Sequence, residues 1–512
     1  MSFQLISSRC LNSSKFSISS ALNASSINLK RSFGSKSCSS ASVFKTLNAQ
    51  SLVYKPAQSQ VVKFFTNKSL GSAGFVSSKW YRAYSDFPGN VSSTARSQTV
   101  GVGELPQKVD VKVNGGLKNP PMVSSKSVAY WLLICGAAVF GIVVLGGLTR
   151  LTESGLSITE WKPITGALPP RSLEDWEKEF ALYKESPEFQ QLNSDMTLDD
   201  YKFIYFMEWG HRLWGRAIGL LVVLPGLYFV ARGKTSPQTN RWLVGITALL
   251  GLQGAIGWWM VHSGIDRENL ASRADSHPRV SHYRLATHLG AAFLLFMAMT
   301  YTGLDILKQQ RYLRNPAEAV KEIKILSSPL ASGSRKFAVV LLLMALATSM
   351  SGAFVAGLDA GLLYNDWPLM GNRLVPSNNE LFEKRYTREE NPTNLKLIYS
   401  NMMDNPVTVQ FIHRMLATAT WTACLAYFIY ARRRRNILPR SVYKGAHGVI
   451  GFASLQALLG ITTLVYIVPI PLAAMHQGGA IAFLTSILVL LCRLRVPRPQ
   501  LRKFLTLMSQ SK

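Results

Sequence analysis

Eight stretches of this 512-residue chain, near 128–148, 203–230, 242–262, 284–307, 336–358, 407–431, 444–468 and 471–494, are strongly apolar. Each is close to the ~20 residues that a helix needs to cross a hydrocarbon core. Soluble domains do not carry eight such runs, so the spans predict an all-α integral membrane protein. The average of 48% hydrophobic and 16% charged residues hides this, because the charge sits at the ends of the spans and in the connections.

The first 85 residues contain no Asp or Glu, 11 Lys or Arg, many Ser and scattered hydrophobics such as Phe16, Leu22, Phe33 and Phe44. That is the composition of a mitochondrial transit peptide. It accounts for 11 of the +28 formal charges, so the basic balance does not indicate a nucleic-acid partner. A polar linker is expected over 86–126.

Loop charge sets the expected orientation. Connections 231–241 and 432–444 hold only basic residues, 308–336 holds seven Lys or Arg against two Glu, and the tail after Cys492 is basic. These belong on the positive inner side, here the matrix. The 149–202 connection, with 11 acids against six bases, belongs in the intermembrane space, so both termini fall in the matrix of a multi-pass inner-membrane protein. None of Cys10, Cys38, Cys135, Cys424 and Cys492 lies in an intermembrane-space loop or forms a CxxC pair, so neither disulfide nor zinc site is expected.

The eight spans are two sets of four. After the first comes Glu153, Gly155-Leu156, Glu160-Trp161, Pro163 and Gly166; after the fifth comes Asp359, Gly361-Leu362, Asp366-Trp367, Pro368 and Gly371. The second and sixth share His211-Arg212 and His413-Arg414, the third and seventh share Leu252-Gln253 and Leu455-Gln456, and the fourth and eighth share His288-x-Gly290 and His476-x-Gly478. An even number of helices per unit makes the copies parallel. The expected fold is therefore two parallel, pseudo-symmetric four-helix bundles over 127–310 and 336–495, with a matrix linker at 311–335 and a basic matrix tail at 496–512.

His211, His288, His413 and His476 are expected in the first outer turns of their helices, as one facing pair per bundle. A lone membrane histidine is more often an interfacial hydrogen-bonding group; four kept by a duplication are better explained as ligands. Two facing imidazoles in a helical bundle most simply hold a haem iron from both sides. Gly210, Gly215, Gly290, Ala417, Gly478 and Gly479 would admit a flat ring, although such residues also serve ordinary helix packing. Arg212, Arg216 and Arg414 would meet propionates or snorkel to the headgroups. His262, His277, His282 and His447 fall outside the pattern.

The copies differ beside the first histidine of each pair. Glu208 precedes His211 by three residues on one helical face, and Gln410 stands in its place before His413. A carboxylate within a membrane helix is by default functional.

These residues resemble the haem A synthases of the mitochondrial inner membrane and of aerobic bacteria. The resemblance covers about 127–495 and rests on the duplicated four-helix units, Glu208-x-x-His211-Arg212, His288, His413-Arg414, His476 and both Leu-Gln steps. It implies oxidation of the C8 methyl of haem O to the formyl group of haem A by successive oxygenation, in the service of cytochrome c oxidase biogenesis. It further implies a haem b on His413 and His476, with Arg414, in the C-terminal bundle. Substrate haem would lie on His211 and His288, with Arg212, in the N-terminal one, and Glu208 would be catalytic. A ferredoxin-type matrix electron donor is the implied partner, together with membrane lipid; haem O synthase, cytochrome c oxidase assembly factors and a second copy of the chain are further candidates. Bacterial members often carry a cysteine pair in the first outer loop, which this chain lacks. From the residues alone a bis-haem b-type electron-transfer protein stays open, as do a di-iron oxidase, which would need more Glu-x-x-His helices, and a transporter, which gives no reason for paired histidines.

Overall fold

Each apolar stretch forms one long helix, and a polar capping side chain marks the start of four of them. The helices are α1 Lys126–Leu151, α2 Leu198–Ala231, α3 Pro237–Ile265, α4 His282–Arg314, α5 Pro329–Gly357, α6 Pro406–Arg433, α7 Arg440–Val465 and α8 Ile470–Leu494. Ser236 and Ser328 accept from the backbone N–H of Thr239 and Ala331, with a proline at the first helical position, where no backbone donor is needed. Asn405 caps α6 ahead of Pro406 in a related way, accepting from Val407 N–H.

The computed structural model describes residues 120–162, 165–266, 278–387 and 389–510, which belong to one compact unit. The expected transit region, the linker up to residue 119, Pro163, His277, Cys10 and Cys38 lie outside the described residues.

Seven of the long helices are long and apolar enough to cross a membrane. The remaining one, α6, has 28 residues and ample length, but Gln410, His413, Arg414 and four threonines lower its hydropathy. Its packing matches that of α2: α6 touches α5 and α7, as α2 touches α1 and α3.

Around the first bundle the neighbours run α1–α2–α3–α4 and back to α1; around the second they run α5–α6–α7–α8 and back to α5. The histidine-bearing helices α2 and α4 are therefore diagonal, as are α6 and α8. The bundles meet through α1 and α4 on one side and α5 and α8 on the other. Burial follows this arrangement: 61% of the apolar window of α4 is buried, against 6% for α3, whose outward face carries Trp242, Leu252 and Trp258 to lipid. Close approach at the seam uses small residues and two polar ties. The Gln477 side chain lies over Gly147 and donates to the Val143 carbonyl at 2.9 Å. Asp359 accepts from Arg150 at 2.7 Å and from Arg279 at 2.8 Å.

One expectation is corrected. His211 is about four turns into α2, not in its first turn, because α2 continues outward to a Thr197/Asp200 capping box; the other three histidines are within about two turns of their helix starts. The extension is held by an aromatic cluster in which Phe180 and Tyr183, from the helix Leu173–Lys184, stack on Tyr201. The linker 311–335 and tail 496–512 contain helices Pro316–Leu326 and Pro499–Gln510, which pack together through Ala319, Ile323, Leu501 and Leu505.

Candidate functional site

Each of the four histidines lies against a glycine of a neighbouring helix. A methyl group added to Gly146 of α1 would come within 2.8 Å of His211 Cε1, and one added to Gly352 of α5 within 3.1 Å of His413 Cε1. Gly257 and Gly460, on α3 and α7, stand in the same relation to His288 and His476, at 3.0 and 2.8 Å. The glycines occupy matching places in the two copies. They hold the imidazoles close to the helix beside them.

The Leu-Gln steps acquire a function in the same frame. Gln253 donates to the His288 carbonyl at 2.9 Å and Gln456 to the His476 carbonyl at 2.9 Å, fixing the backbone of one histidine in each pair. The ring nitrogens nearest the backbone are treated differently in the two bundles. Ser351 Oγ is 2.8 Å from His413 Nδ1, and Gln456 Nε2 is 3.1 Å from His476 Nδ1. The Nδ1 atoms of His211 and His288 are buried and have no hydrogen-bond partner among the described residues.

Glu208 is buried at 3% exposure and accepts three hydrogen bonds. Ser157 Oγ donates at 2.7 Å and Ile158 N–H at 2.9 Å to one oxygen; Arg212 donates at 2.6 Å to the other. Arg212 also donates to the Ile158 and Glu160 carbonyls, so the pair clamps the first outer connection onto α2. In the second copy Arg414 clamps Tyr364, Asp366 and Leu369 through their carbonyls, and Gln410 donates to Tyr364 O at 3.0 Å. The clamp is thus common to both copies, whereas the negative charge and its Ser157 partner occur in the first alone. Arg212 and Arg216 also line a polar cavity of about 510 Å³ with Glu160, Lys162 and Tyr205.

Most of the small residues expected to admit a flat ring serve helix packing: Gly290 faces Met350, Gly478 faces Val144 and Phe140, and Gly479 faces Gln456. Gly210 has open space beside it. The glycines against the imidazoles escaped the sequence reading, though the repeat contains their signal: Gly257 and Gly460 each follow the Gln by four residues. Of the remaining described histidines, His282 faces Asp404 and the His447 ring lies against the Tyr443 carbonyl. Among the described residues no three His, Cys, Asp or Glu side chains converge as a metal-binding group.

The residues fit a haem held between imidazoles. The ligand-bearing helices are diagonal and separated, the four rings share one arrangement, and His413 has its Nδ1 engaged, which leaves Nε2 for iron.

The COX15-CtaA family, cytochrome oxidase assembly protein, matches residues 129–488. The chain is 52% identical over 388 residues to "Heme A synthase COX15" of Saccharomyces cerevisiae, covering 76% of this chain and 79% of that one. It is 41% identical over 387 residues to "Heme A synthase COX15" of Homo sapiens, covering 75% and 87%. To the "Heme A synthase-mitochondrial ferredoxin fusion protein" of Schizosaccharomyces pombe it is 48% identical over 384 residues, covering 74% and 62%. Seen with the duplicated bundles and their histidine pairs, these matches make the chain a member of the COX15-CtaA family, whose relatives here are haem A synthases.

Proposed function

We infer that the chain is a haem A synthase that oxidises the C8 methyl of haem O in its N-terminal bundle and holds a haem b in its C-terminal bundle. The observation that carries the assignment of roles is the difference between Glu208 and Gln410 on otherwise matching frames. His211 and His288 bind the substrate haem, and Gly146 and Gly257 set how near the rings stand to α1 and α3. Glu208 lies one helical turn outward of His211. Held by Ser157, Ile158 N–H and Arg212, it presents a fixed negative charge that stabilises positive charge developing at the reacting methyl carbon or directs its protons. Arg212 and Arg216 give a cationic lining to the outer cavity, where propionates find partners, whereas Arg414 is buried and donates to the carbonyls of Tyr364, Asp366 and Leu369.

His413 and His476, with no acid beside them, suit a haem that is kept and not altered. Haem b, when bound there, supplies one-electron transfer. The ties through Gln477 and Asp359 hold the two sites in fixed register. In this reading the protein lies in the mitochondrial inner membrane, and the basic connections after α2 and α6 support an orientation with both termini in the matrix and the histidines towards the intermembrane space. A matrix ferredoxin is the electron donor, a reading supported by the ferredoxin fused to the S. pombe relative.

The test is purification with an absorption spectrum, and analysis of haems extracted from cells in which this chain is the sole source of the activity. Haem A in the cells and a b-type spectrum in the protein are expected. Two b haems with no formyl-bearing haem would favour a bis-haem electron-transfer protein instead.

A further inference from the structure

The bundles differ at the atom behind the first ligand ring of each pair. Ser351 donates its hydroxyl proton to the Thr348 carbonyl at 2.7 Å, so towards His413 Nδ1, 2.8 Å away, the oxygen can act only as an acceptor. The ring then carries its proton on Nδ1 and leaves Nε2 bare. The register that sets Gly352 on Gly146 and Asp359 on Glu153 sets Ser351 on Leu145, which has no hydroxyl. The Thr348 carbonyl is a second acceptor beside the His413 ring, whereas His211 Nδ1 has no partner among the described residues. The second histidines carry no such anchor: Gln456 donates to the His476 carbonyl as Gln253 does to the His288 carbonyl, and an amide N–H beside His476 Nδ1 cannot accept a ring proton there.

We propose that Ser351 is a positioning residue that anchors His413 and makes the C-terminal site one of permanent haem retention, while Leu145 leaves His211 unanchored and makes the N-terminal site exchangeable. This rests on the assignment of haem to both bundles. A hydrogen bond to the far nitrogen of a ligating imidazole fixes the ring's orientation and raises its basicity, and losing such a partner typically weakens metal binding 10–100-fold. A haem that arrives as substrate and leaves as product needs the opposite: a ring that turns away without breaking a hydrogen bond.

The experiment measures transfer of haem from the purified full-length protein to an excess of apomyoglobin, together with the midpoint potential of the resident haem. Ser351→Ala is expected to release that haem roughly 10-fold faster, at a raised potential, because a less basic ligand stabilises ferric iron less. Ser351→Thr, which keeps the hydroxyl, should stay near the parent. Leu145→Ser should slow release of haem loaded into the N-terminal site. Parent-like release and potential in Ser351→Ala would overturn the proposal, and so would unslowed release from folded Leu145→Ser. His413→Ala separates this from the underlying assignment. If that variant keeps the resident haem, the haem is not held there and the assignment fails; if it loses the haem while Ser351→Ala is silent, the anchor alone fails.

Discussion

The two bundles share their helix order, their histidine–glycine contacts, their Gln-to-carbonyl bonds and their arginine clamps; they differ at the positions to which the proposed function assigns chemistry and exchange. The N-terminal bundle has Glu208 where the other has Gln410, Ser157 where the other has Leu363, and Leu145 where the other has Ser351. Its outer cap differs as well. The acid-rich segment between α1 and α2 buries the Glu188 carboxyl against Tyr183 OH, whereas the segment before α6 buries the neutral amides of Asn401 and Asn405, fully bonded to each other and to backbone. On the proposed function, the parts kept in common would position a cofactor, and the parts that diverged would decide what becomes of it.

The largest effect should come from deleting the ligands. His413→Ala or His476→Ala should remove most of the resident haem and weaken the fold, since the cofactor loses an axial bond and the fold loses the stabilisation that binding confers. His211→Ala and His288→Ala should leave that haem in place while abolishing haem A formation. The haem-to-protein ratio after purification measures both. Normal ratios and spectra for both C-terminal variants would take these histidines off the ligand list and remove the distinction between the bundles.

A smaller effect distinguishes the caps by pH. Burial is the main cause that pushes the Glu188 carboxyl up to about 8, against 4.5 ordinarily, with the nearby charge of Glu208 adding to it. As pH rises from 4.5 the unfolded cap loses this proton while the folded cap retains it. The cap is therefore at full strength below about pH 4.5, weakens progressively, and carries the whole penalty above pH 8. At about 1.4 kcal/mol per pH unit the loss by pH 7 is at most roughly 3 kcal/mol. Amide exchange over 173–205, corrected for its intrinsic pH dependence, should show less protection at pH 7.5 than at pH 5, and Glu188→Gln should remove the difference. The 394–405 segment should show none. Equal pH dependence in both caps would contradict the comparison.

Much of this was legible in the sequence because membrane helices declare themselves by length and because a duplication prints its frame twice. The histidine pairs, the Glu208/Gln410 difference and the Leu-Gln steps are all visible as matching or mismatching letters at fixed spacing. What each letter does was less visible. Gly146 and Gly352 look like ordinary small residues until His211 and His413 are seen resting on them, because contact between helices has no local signature. Arg212 and Arg414 read as propionate partners, yet both are spent largely on loop carbonyls. The outward extension of α2 was hidden because aromatic packing against helix 173–184 overrides the drop in hydropathy.

The most direct test is the haem composition of cells carrying only Glu208→Gln. The second copy shows that glutamine at this place is compatible with a clamped outer loop, since Gln410 and Arg414 both hold Tyr364. Folding and haem binding in both bundles should therefore survive the substitution. Haem A should fall by roughly 100-fold or more, the scale typical of losing a charge-stabilising or acid–base group, and haem O or a partly oxidised haem should accumulate on the enzyme. Haem A at the parent level, with the variant protein present in normal amount, would contradict the assignment of the chemistry to the bundle that kept its acid.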